Sequence, residues 1–195
     1  IAAFHELGVK RIIAPTAVGS LRREVKPGEF LVPDQFVSFT NREDTFYDGP
    51  KTTHISSADP YCSELRTLLI NEGRRHDLHI HEKGTVVVIN GPRFASKAES
   101  SMYRSMGFDI INMTQYPENI LAREMEMCYA NISIITDYDT GVKDDSSVKP
   151  VSLEEVVRVF NENNEKIKAL LKEIIPKISD VRKCSCSRAL EGSRF

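Results

Sequence analysis

Thr85-Val86-Val87-Val88-Ile89 is a run of five β-branched residues, which is typical of a fully buried strand. Ser96-Lys97-Ala98-Glu99 follows it and has the spacing of a capping box, which predicts the start of a helix. By the same signals of apolar periodicity and turn residues, we predict strands over 9–16, 30–39 (kinked at Pro33), 110–113 and 129–136, and helices over 63–75, 117–127 and from Ser152 to Pro176. Strands that alternate with helices predict one α/β domain with a mixed or parallel sheet.

Composition narrows the class of protein. The chain has 195 residues, of which 41% are hydrophobic and 28% charged, and its net charge is −2. That length suits one domain with a core of its own. The sequence lacks the basic excess of nucleic-acid-binding proteins, an apolar run of about 18 residues that could span a membrane, and a signal peptide. We therefore expect a cytoplasmic protein that binds neither nucleic acid nor membranes.

Four loops that follow predicted strands are rich in small and polar residues: 15–22, 90–96, 112–118 and 136–142. In open α/β sheets, ligands bind beyond the carboxyl ends of the strands, so we expect the functional site to be built from these loops.

Three of these loops carry residues suited to a small anion and a flat ring, and for the first two there is an ordinary structural alternative. Hydroxyl and backbone N–H groups over 16–20 can cradle an anion, or they can form an ordinary tight turn. Phe94 follows a rigid Gly-Pro turn and can present a flat face to a purine, or it can pack in the core. Met113 is a soft contact for a sugar or base, and Thr114 can donate to an oxyanion.

The fourth loop carries two carboxylates. Asp137 and Asp139 stand two residues apart, directly after an apolar strand. Close carboxylates raise one of their two pKa values, so one of them can hold a proton near neutral pH and act as an acid. The alternative is an ordinary capping or surface pair.

The cysteines do not suggest a metal site. Cys184 and Cys186 are spaced C-x-C with no histidine after them, and the five histidines show no ligand spacing with the cysteines. We therefore predict that the protein holds no metal. The sequence also lacks a G-x-S-x-G motif, a P-loop and a Rossmann fingerprint.

Taken together, the motifs are similar to those of one family. The matching stretches are Thr-Ala-x-Gly-Ser-Leu-Arg at 16–22, Pro-Gly-Glu-Phe-Leu-Val-Pro-Asp-Gln-Phe at 27–36, Phe-Tyr-Asp-Gly at 46–49, Gly-Pro-Arg-Phe-Ala-Ser-Lys-Ala-Glu-Ser at 91–100, Asn-Met-Thr at 112–114, Cys-Tyr-Ala at 128–130 and Thr-Asp-Tyr-Asp at 136–139. From residue 1 to about residue 178, the chain resembles the trimeric purine nucleoside phosphorylases, in their methylthioadenosine phosphorylase branch.

The resemblance implies a fold, an activity and an assembly. The implied fold is a nucleoside-phosphorylase-like three-layer α/β sandwich around a central mixed β-sheet. The implied activity is a pentosyl transfer, the phosphorolysis of 5′-methylthioadenosine to adenine and 5-methylthioribose 1-phosphate. Phosphate is the co-substrate, no cofactor is needed, and the subunits form a trimer or a dimer of trimers. Two alternatives are a broader purine nucleoside phosphorylase for inosine, guanosine and adenosine, and a non-catalytic nucleotide-binding or assembly subunit.

The resemblance also implies roles for individual residues. It gives proton donation and adenine binding to Asp137 and Asp139, and phosphate binding to Thr16, Ala17 and Thr114. Further substrate contacts are implied for Phe94, Asn112, Met113, Tyr138, Leu153, Val156, Val157 and, from the neighbouring subunit, His54. Leu153 and the two valines match the pocket for the methylthio group, and Ala95 and Leu153 stand where specificity is set.

Finally, the resemblance implies domain limits and disulfides. The family's phosphate site includes an upstream loop and an Arg-His pair, and a helix is already under way at Ile1. We therefore expect residues 1–178 to be the major, C-terminal part of one phosphorylase domain that lacks an upstream segment. Residues 179–195 are expected to be a loosely ordered tail with the C-x-C motif. The implied disulfide pairs are Cys62–Cys128 and Cys184–Cys186.

Overall fold

The computed structural model describes residues 1–50, 52–140 and 150–194, so residues 141–142 of the fourth predicted loop lie outside the described residues. The helices and strands, in chain order, are α1 (Ala2–Glu6), β1 (Arg11–Ser20), β2 (Phe30–Leu31), β3 (Gln35–Phe39), α2 (Ser63–Arg75), β4 (Ile80–His81), β5 (Thr85–Ile89), α3 (Lys97–Ser105), β6 (Ile110–Asn112), α4 (Gln115–Glu124), β7 (Cys128–Asp137) and α5 (Leu153–Ile174). Two short 3₁₀ turns follow, at Ile175–Lys177 and Ser185–Arg188.

The strands form one mixed sheet of seven strands in the order β3-β5-β6-β1-β7-β2-β4. The two long strands, β1 and β7, lie side by side and parallel in the middle. β6 is antiparallel to β1 and β2 is antiparallel to β7, while the remaining pairs are parallel. The predicted mixed α/β sheet is confirmed.

β7 shows why the fold has three layers. All ten of its residues are buried, and successive side chains on a strand point to opposite faces. Ala130, Ile132 and Ile134 pack with residues of α2 and α5 on one face. Tyr129 and Ile135 pack with residues of α4 on the other. Full burial of one such isoleucine contributes about 1.5–3 kcal/mol, so this strand anchors both helical layers.

The single kinked strand predicted over 30–39 is wrong. Its two halves are separate strands: β2 pairs with β7 and β4, whereas β3 pairs with β5 at the opposite edge of the sheet. Pro33 lies between them and has no N–H to donate to a ladder. The chain therefore leaves one side of the sheet at Pro33 and joins the other.

β1 extends further than the sequence predicts. It pairs with β7 as far as Gly19, which lies opposite Asp137, so the strand ends at Ser20 rather than at Thr16. Thr16 and Ala17 are therefore strand residues and do not lie in a turn.

Capping residues begin two helices where the sequence predicts them. Ser96 Oγ accepts from the Glu99 N–H, and the Glu99 carboxylate accepts from the Ser96 N–H, which completes the capping box of α3. Ser152 Oγ accepts from the Glu155 N–H at the start of α5. Among the described helices, none combines the length and apolar character needed to cross a lipid bilayer.

The loosely ordered tail expected over 179–195 is wrong for its described part, 179–194. Cys184 and Cys186 are buried in the core cluster between α2, β7 and α5. Thr53 forms a β-bridge with Arg194, which ties the end of this segment to the loop after β3. These two buried thiols therefore anchor a segment whose sequence is otherwise rich in charged residues. Phe195 lies outside the described residues.

Candidate active site

A cavity of about 220 Å³ lies where the four predicted loops meet. Its lining residues are Ala17, Val18, Gly19, Ile89, Phe94, Ala95, Ile111, Asn112, Met113, Thr114, Thr136, Asp137, Asp139 and Val156. Each of the four segments contributes residues to this lining. The structure therefore brings the four predicted loops to one cavity, and their role as the functional site stays a prediction.

Asp137 is the last residue of β7 and is 8% exposed. Its Oδ1 accepts from the backbone N–H of Asp139 at 2.7 Å, and its Oδ2 lies 2.7 Å from the hydroxyl of Thr136. Burial raises the pKa of Asp137 to about 6, because removing the carboxylate from water disfavours its charged form. This carboxyl can therefore both hold and release a proton near neutral pH.

The neighbouring hydroxyl suits either protonation state of that carboxyl. Thr136 Oγ1 lies 2.7 Å from Asp137 Oδ2 and 3.1 Å from the carbonyl oxygen of Val18. A hydroxyl has one proton to donate and can also accept. It can donate to an ionised Asp137, or donate to Val18 while it accepts from a protonated Asp137. The site therefore tolerates proton transfer without leaving Thr136 unpaired.

Asp139 faces the same cavity and carries an unused acceptor. Its backbone has a positive φ of 52°, a conformation that aspartate tolerates better than most residues, and its carbonyl accepts from the Val151 N–H. The side chain is 3% exposed, and burial raises its pKa. Within the described part of the chain, its Oδ2 has no hydrogen-bond partner. A buried acceptor without a partner is costly, and a ligand donor would satisfy it.

Asn112 is a second buried group that lacks partners. It is 5% exposed and ends β6, and among the described residues neither its Oδ1 nor its Nδ2 makes a hydrogen bond. A side-chain amide offers two donors and an acceptor, which suits sugar hydroxyls. Among the described residues, Asn112 and Asp139 together give this apolar cavity unpaired polar groups that a ligand would satisfy.

The apolar part of the cavity lining includes Phe94, the residue predicted to present an aromatic ring to a ligand. Phe94 lines the cavity with 40% of its surface exposed, so it is not a core residue. Met113 and Ala95 also line the cavity, and Ala95 is 7% exposed. Exposed rings of this kind stack on flat ligands.

Two of the three predicted phosphate residues line the cavity. Ala17 and Thr114 do so, and Thr114 precedes α4 without using its hydroxyl as a cap. Thr16 lies on β1 outside the lining, and its hydroxyl accepts a hydrogen bond from Asn131 Nδ2 at 3.0 Å. The structure therefore separates Thr16 from the other two.

Four further predicted residues lie outside the lining in this chain. Leu153 and Val157 are 69% and 47% exposed on α5, while Val156 between them reaches the cavity. The Tyr138 hydroxyl donates to the carbonyl of Arg23. His54 is exposed, and its backbone N–H donates to Ser193. The substrate-binding roles of these four stay predictions.

The sequence analysis missed Arg42 and Gly19. Arg42 donates to the carbonyl oxygens of Asn90, Met113 and Tyr116 at 2.7–2.9 Å and so ties together two of the loops. An arginine in a polar loop gives no signal of such a role. A Cβ on Gly19 would lie 3.0 Å from Asp137 Oδ1, so a larger residue would press on this carboxyl and shift it. The Gly in the 16–22 motif was the available signal.

The cysteines form a feature that the sequence spacing did not indicate. All four thiols are buried and free, and they lie together at the end of β7 opposite the cavity. The predicted pairs Cys62–Cys128 and Cys184–Cys186 stay predictions.

The sequence of this chain is similar to those of known phosphorylases. The sequence profile described as the phosphorylase superfamily matches residues 1–176. S-methyl-5′-thioadenosine phosphorylase of Pyrococcus furiosus is 53% identical over 192 residues, which cover 98% of this chain and 72% of that protein. The 6-oxopurine nucleoside phosphorylase of the same organism is 44% identical over 201 residues, covering 99% and 74%.

A solved structure agrees with these relatives. Methylthioadenosine phosphorylase from Schistosoma mansoni in complex with adenine superposes with a TM-score of 0.90 at 32% identity, over 99% of this chain and 76% of that one. The family and the fold expected from the sequence are both confirmed. The chain therefore belongs to the phosphorylase superfamily, in the branch of the S-methyl-5′-thioadenosine phosphorylases.

Proposed function

We propose that this protein catalyses the phosphorolysis of 5′-methylthioadenosine to adenine and 5-methylthioribose 1-phosphate, as a pentosyltransferase. One observation carries the proposal: a buried carboxyl whose pKa is raised to about 6, Asp137, lies in an apolar cavity beside the unpaired acceptor of Asp139. The names of the relatives at 53% identity support the same substrate.

The chemistry needs an acid and a positioned nucleophile. An oxygen of phosphate attacks C1′ while the C1′–N9 bond breaks, and the electron pair of that bond passes to the purine. A proton from Asp137 to N7 lets the purine leave as a neutral molecule. Catalysis is then electrostatic and positional, and it requires no cofactor besides phosphate as co-substrate.

The carboxyl pair also selects the base. Adenine presents N7 as an acceptor and its 6-amino group as a donor. Protonated Asp137 donates to N7, and the unused Oδ2 of Asp139 accepts from the amino group. A 6-oxopurine would place an oxygen against that acceptor and leave both unpaired, at a cost of about 1–3 kcal/mol.

The remaining lining residues divide the substrate between them. Phe94 and Met113 contact the base and sugar, and the unpaired amide of Asn112 binds sugar hydroxyls. Ala17 and Thr114 bind phosphate, with Thr16 behind them on β1. In this proposal Val156, together with Leu153 and Val157, receives the methylthio group, and Ala95 and Leu153 set specificity.

The proposed assembly is a trimer or a dimer of trimers in the cytoplasm. Phe94, Leu153 and Val157 leave apolar surface exposed beside the cavity, and a neighbouring subunit that donates His54 would cover it. Sedimentation velocity checks this, since a stable and fully active monomer would contradict donation in trans.

Steady-state kinetics with methylthioadenosine, adenosine and inosine test the activity. We expect kcat/KM for methylthioadenosine and adenosine to exceed that for inosine by at least about tenfold, since a hydrogen-bonding pocket rejects a mismatched analogue. Equal values would instead support the broader purine nucleoside phosphorylase, which the relative at 44% identity represents. Binding of nucleoside without any turnover would support the non-catalytic alternative.

A further inference from the structure

The four cysteine thiols form one cluster remote from the proposed active site. The Sγ atoms of Cys62, Cys128, Cys184 and Cys186 all lie within 4.8 Å of one another, and those of Cys128 and Cys184 are 3.5 Å apart. A tetrahedral zinc ion with Zn–S bonds of about 2.3 Å holds its sulfur ligands about 3.8 Å apart. The Cys128–Cys184 pair is close to that edge length, and the upper limit of 4.8 Å places the other sulfurs within about 1 Å of it.

The fold fixes these thiols from three separate elements. Cys62 is the N-cap residue of α2, Cys128 begins β7, and Cys184 and Cys186 lie at the 3₁₀ turn Ser185–Arg188. The Cys62 N–H donates to the carbonyl of Tyr129 at 2.8 Å, which joins the start of α2 to β7. The site is therefore assembled by the folded core rather than by local spacing.

The surroundings are those of a structural metal site. All four cysteines belong to one apolar core cluster, and the most exposed of them, Cys184, is 9% exposed. Four protein sulfurs leave no open coordination position for a substrate. A zinc ion here would stabilise the fold and take no part in catalysis.

We propose that Cys62, Cys128, Cys184 and Cys186 bind one zinc ion in a closed tetrathiolate site, which fixes residues 179–194 to the core. The disulfide pairs predicted from the sequence use the same four sulfurs, so the two chemistries exclude each other within one molecule. The geometry gathers all four thiols: Cys128 Sγ lies 3.5 Å from the Sγ of Cys184, which is not its predicted disulfide partner, and every pair of sulfurs lies within 4.8 Å.

The test is the metal content of the native protein, purified under reducing conditions without added metal and measured by inductively coupled plasma mass spectrometry. We expect about one zinc ion per chain. Replacement by Co²⁺ should give the intense sulfur-to-cobalt charge-transfer bands of a tetrahedral thiolate site. These readouts are independent of phosphorolysis, so their failure leaves the proposed activity standing.

Two variants locate the ion. Cys186→Ser should lose most of the zinc, and circular dichroism shows whether it remains folded. The control changes another group of side chains that could hold a metal ion. In this group, Glu29 lies near His79 and His81. The double variant with His79→Gln and His81→Gln should keep its zinc. Zinc that disappears in this control but persists in Cys186→Ser would overturn the proposal.

Thiol titration of the denatured wild-type protein in the presence of a chelator completes the test and does not depend on any variant folding. Four free thiols together with one zinc ion support the site. Fewer than four thiols without zinc would establish disulfides instead, and four thiols without zinc would establish an unligated cluster; either result overturns the proposal.

Discussion

Replacing Asp137 by asparagine should raise the stability of the protein while it removes the proposed acid. Asparagine keeps an oxygen that accepts from the Asp139 N–H. Its amide can donate to Thr136 Oγ1, which in turn donates to the Val18 carbonyl at 3.1 Å. The variant therefore preserves the hydrogen bonds but has no charge to desolvate.

The gain depends on pH in a defined direction. Burial raises the pKa of Asp137 from 3.8 to about 6, so the folded state disfavours ionisation. Below about pH 3 the carboxyl is protonated in both the folded and the unfolded state, so its burial as a charge costs no free energy. As pH rises from about 4 to about 6, the wild type loses about 1.4 kcal/mol for each pKa unit, or about 3 kcal/mol for a shift of about two units. The free energy of unfolding of the Asp137→Asn variant does not fall in this way, because its amide does not ionise.

Denaturant unfolding of both proteins from pH 4 to pH 8 measures the effect. The difference in unfolding free energy should be only about 0.5 kcal/mol at pH 4 and approach about 3 kcal/mol in favour of the variant at pH 8. Asp180→Asn is the matched control, since Asp180 is exposed and its replacement should change stability by less than about 0.5 kcal/mol. A variant no more stable than wild type at pH 8, or a difference that ignores pH, would refute the reasoning. Phosphorolysis of methylthioadenosine should fall about 100-fold or more in the variant.

Three other substitutions separate positioning from folding. Gly19→Ala places a Cβ 3.0 Å from Asp137 Oδ1, so kcat for methylthioadenosine should fall about tenfold or more while circular dichroism stays unchanged. Phe94→Leu removes the exposed ring and should raise KM for the nucleoside about fivefold, as stacking contributes about 1 kcal/mol; unchanged KM in steady-state kinetics would contradict its role. Ser96→Ala removes the cap of α3 and should cost about 1 kcal/mol in thermal unfolding with kinetic constants retained.

The parts of the fold that could be predicted are those with strong local signals. The β-branched run of β5 and the apolar run of β7 are both buried in the sheet, as their composition predicts. The capping box at Ser96 begins α3 by local hydrogen bonds. The carboxyl pair at 137 and 139 was found because polar residues that directly follow a buried strand are brought to the ligand-binding edge.

The parts that could not be predicted depend on contacts between distant residues. The residues around Pro33 do not indicate that β2 and β3 join opposite sides of the sheet. The partners of these strands come from distant parts of the chain, so local sequence carries no signal for the pairing. Arg42 gains its role only where the loops at Asn90 and Met113 meet. Sequence spacing could not predict the thiol cluster, because its four cysteines come from three separate elements of the fold.

The central position of β7 has a consequence for synthesis of the protein on the ribosome. β7 lies between β1 and β2, so without it the sheet is two pieces, β3-β5-β6-β1 and β2-β4. β1 emerges early, and at about 5–20 residues per second its partner follows only after on the order of ten seconds. During that interval both pieces carry an open edge that can pair with another nascent chain. A chain interrupted before Cys128 therefore has neither a joined sheet nor the carboxyl pair.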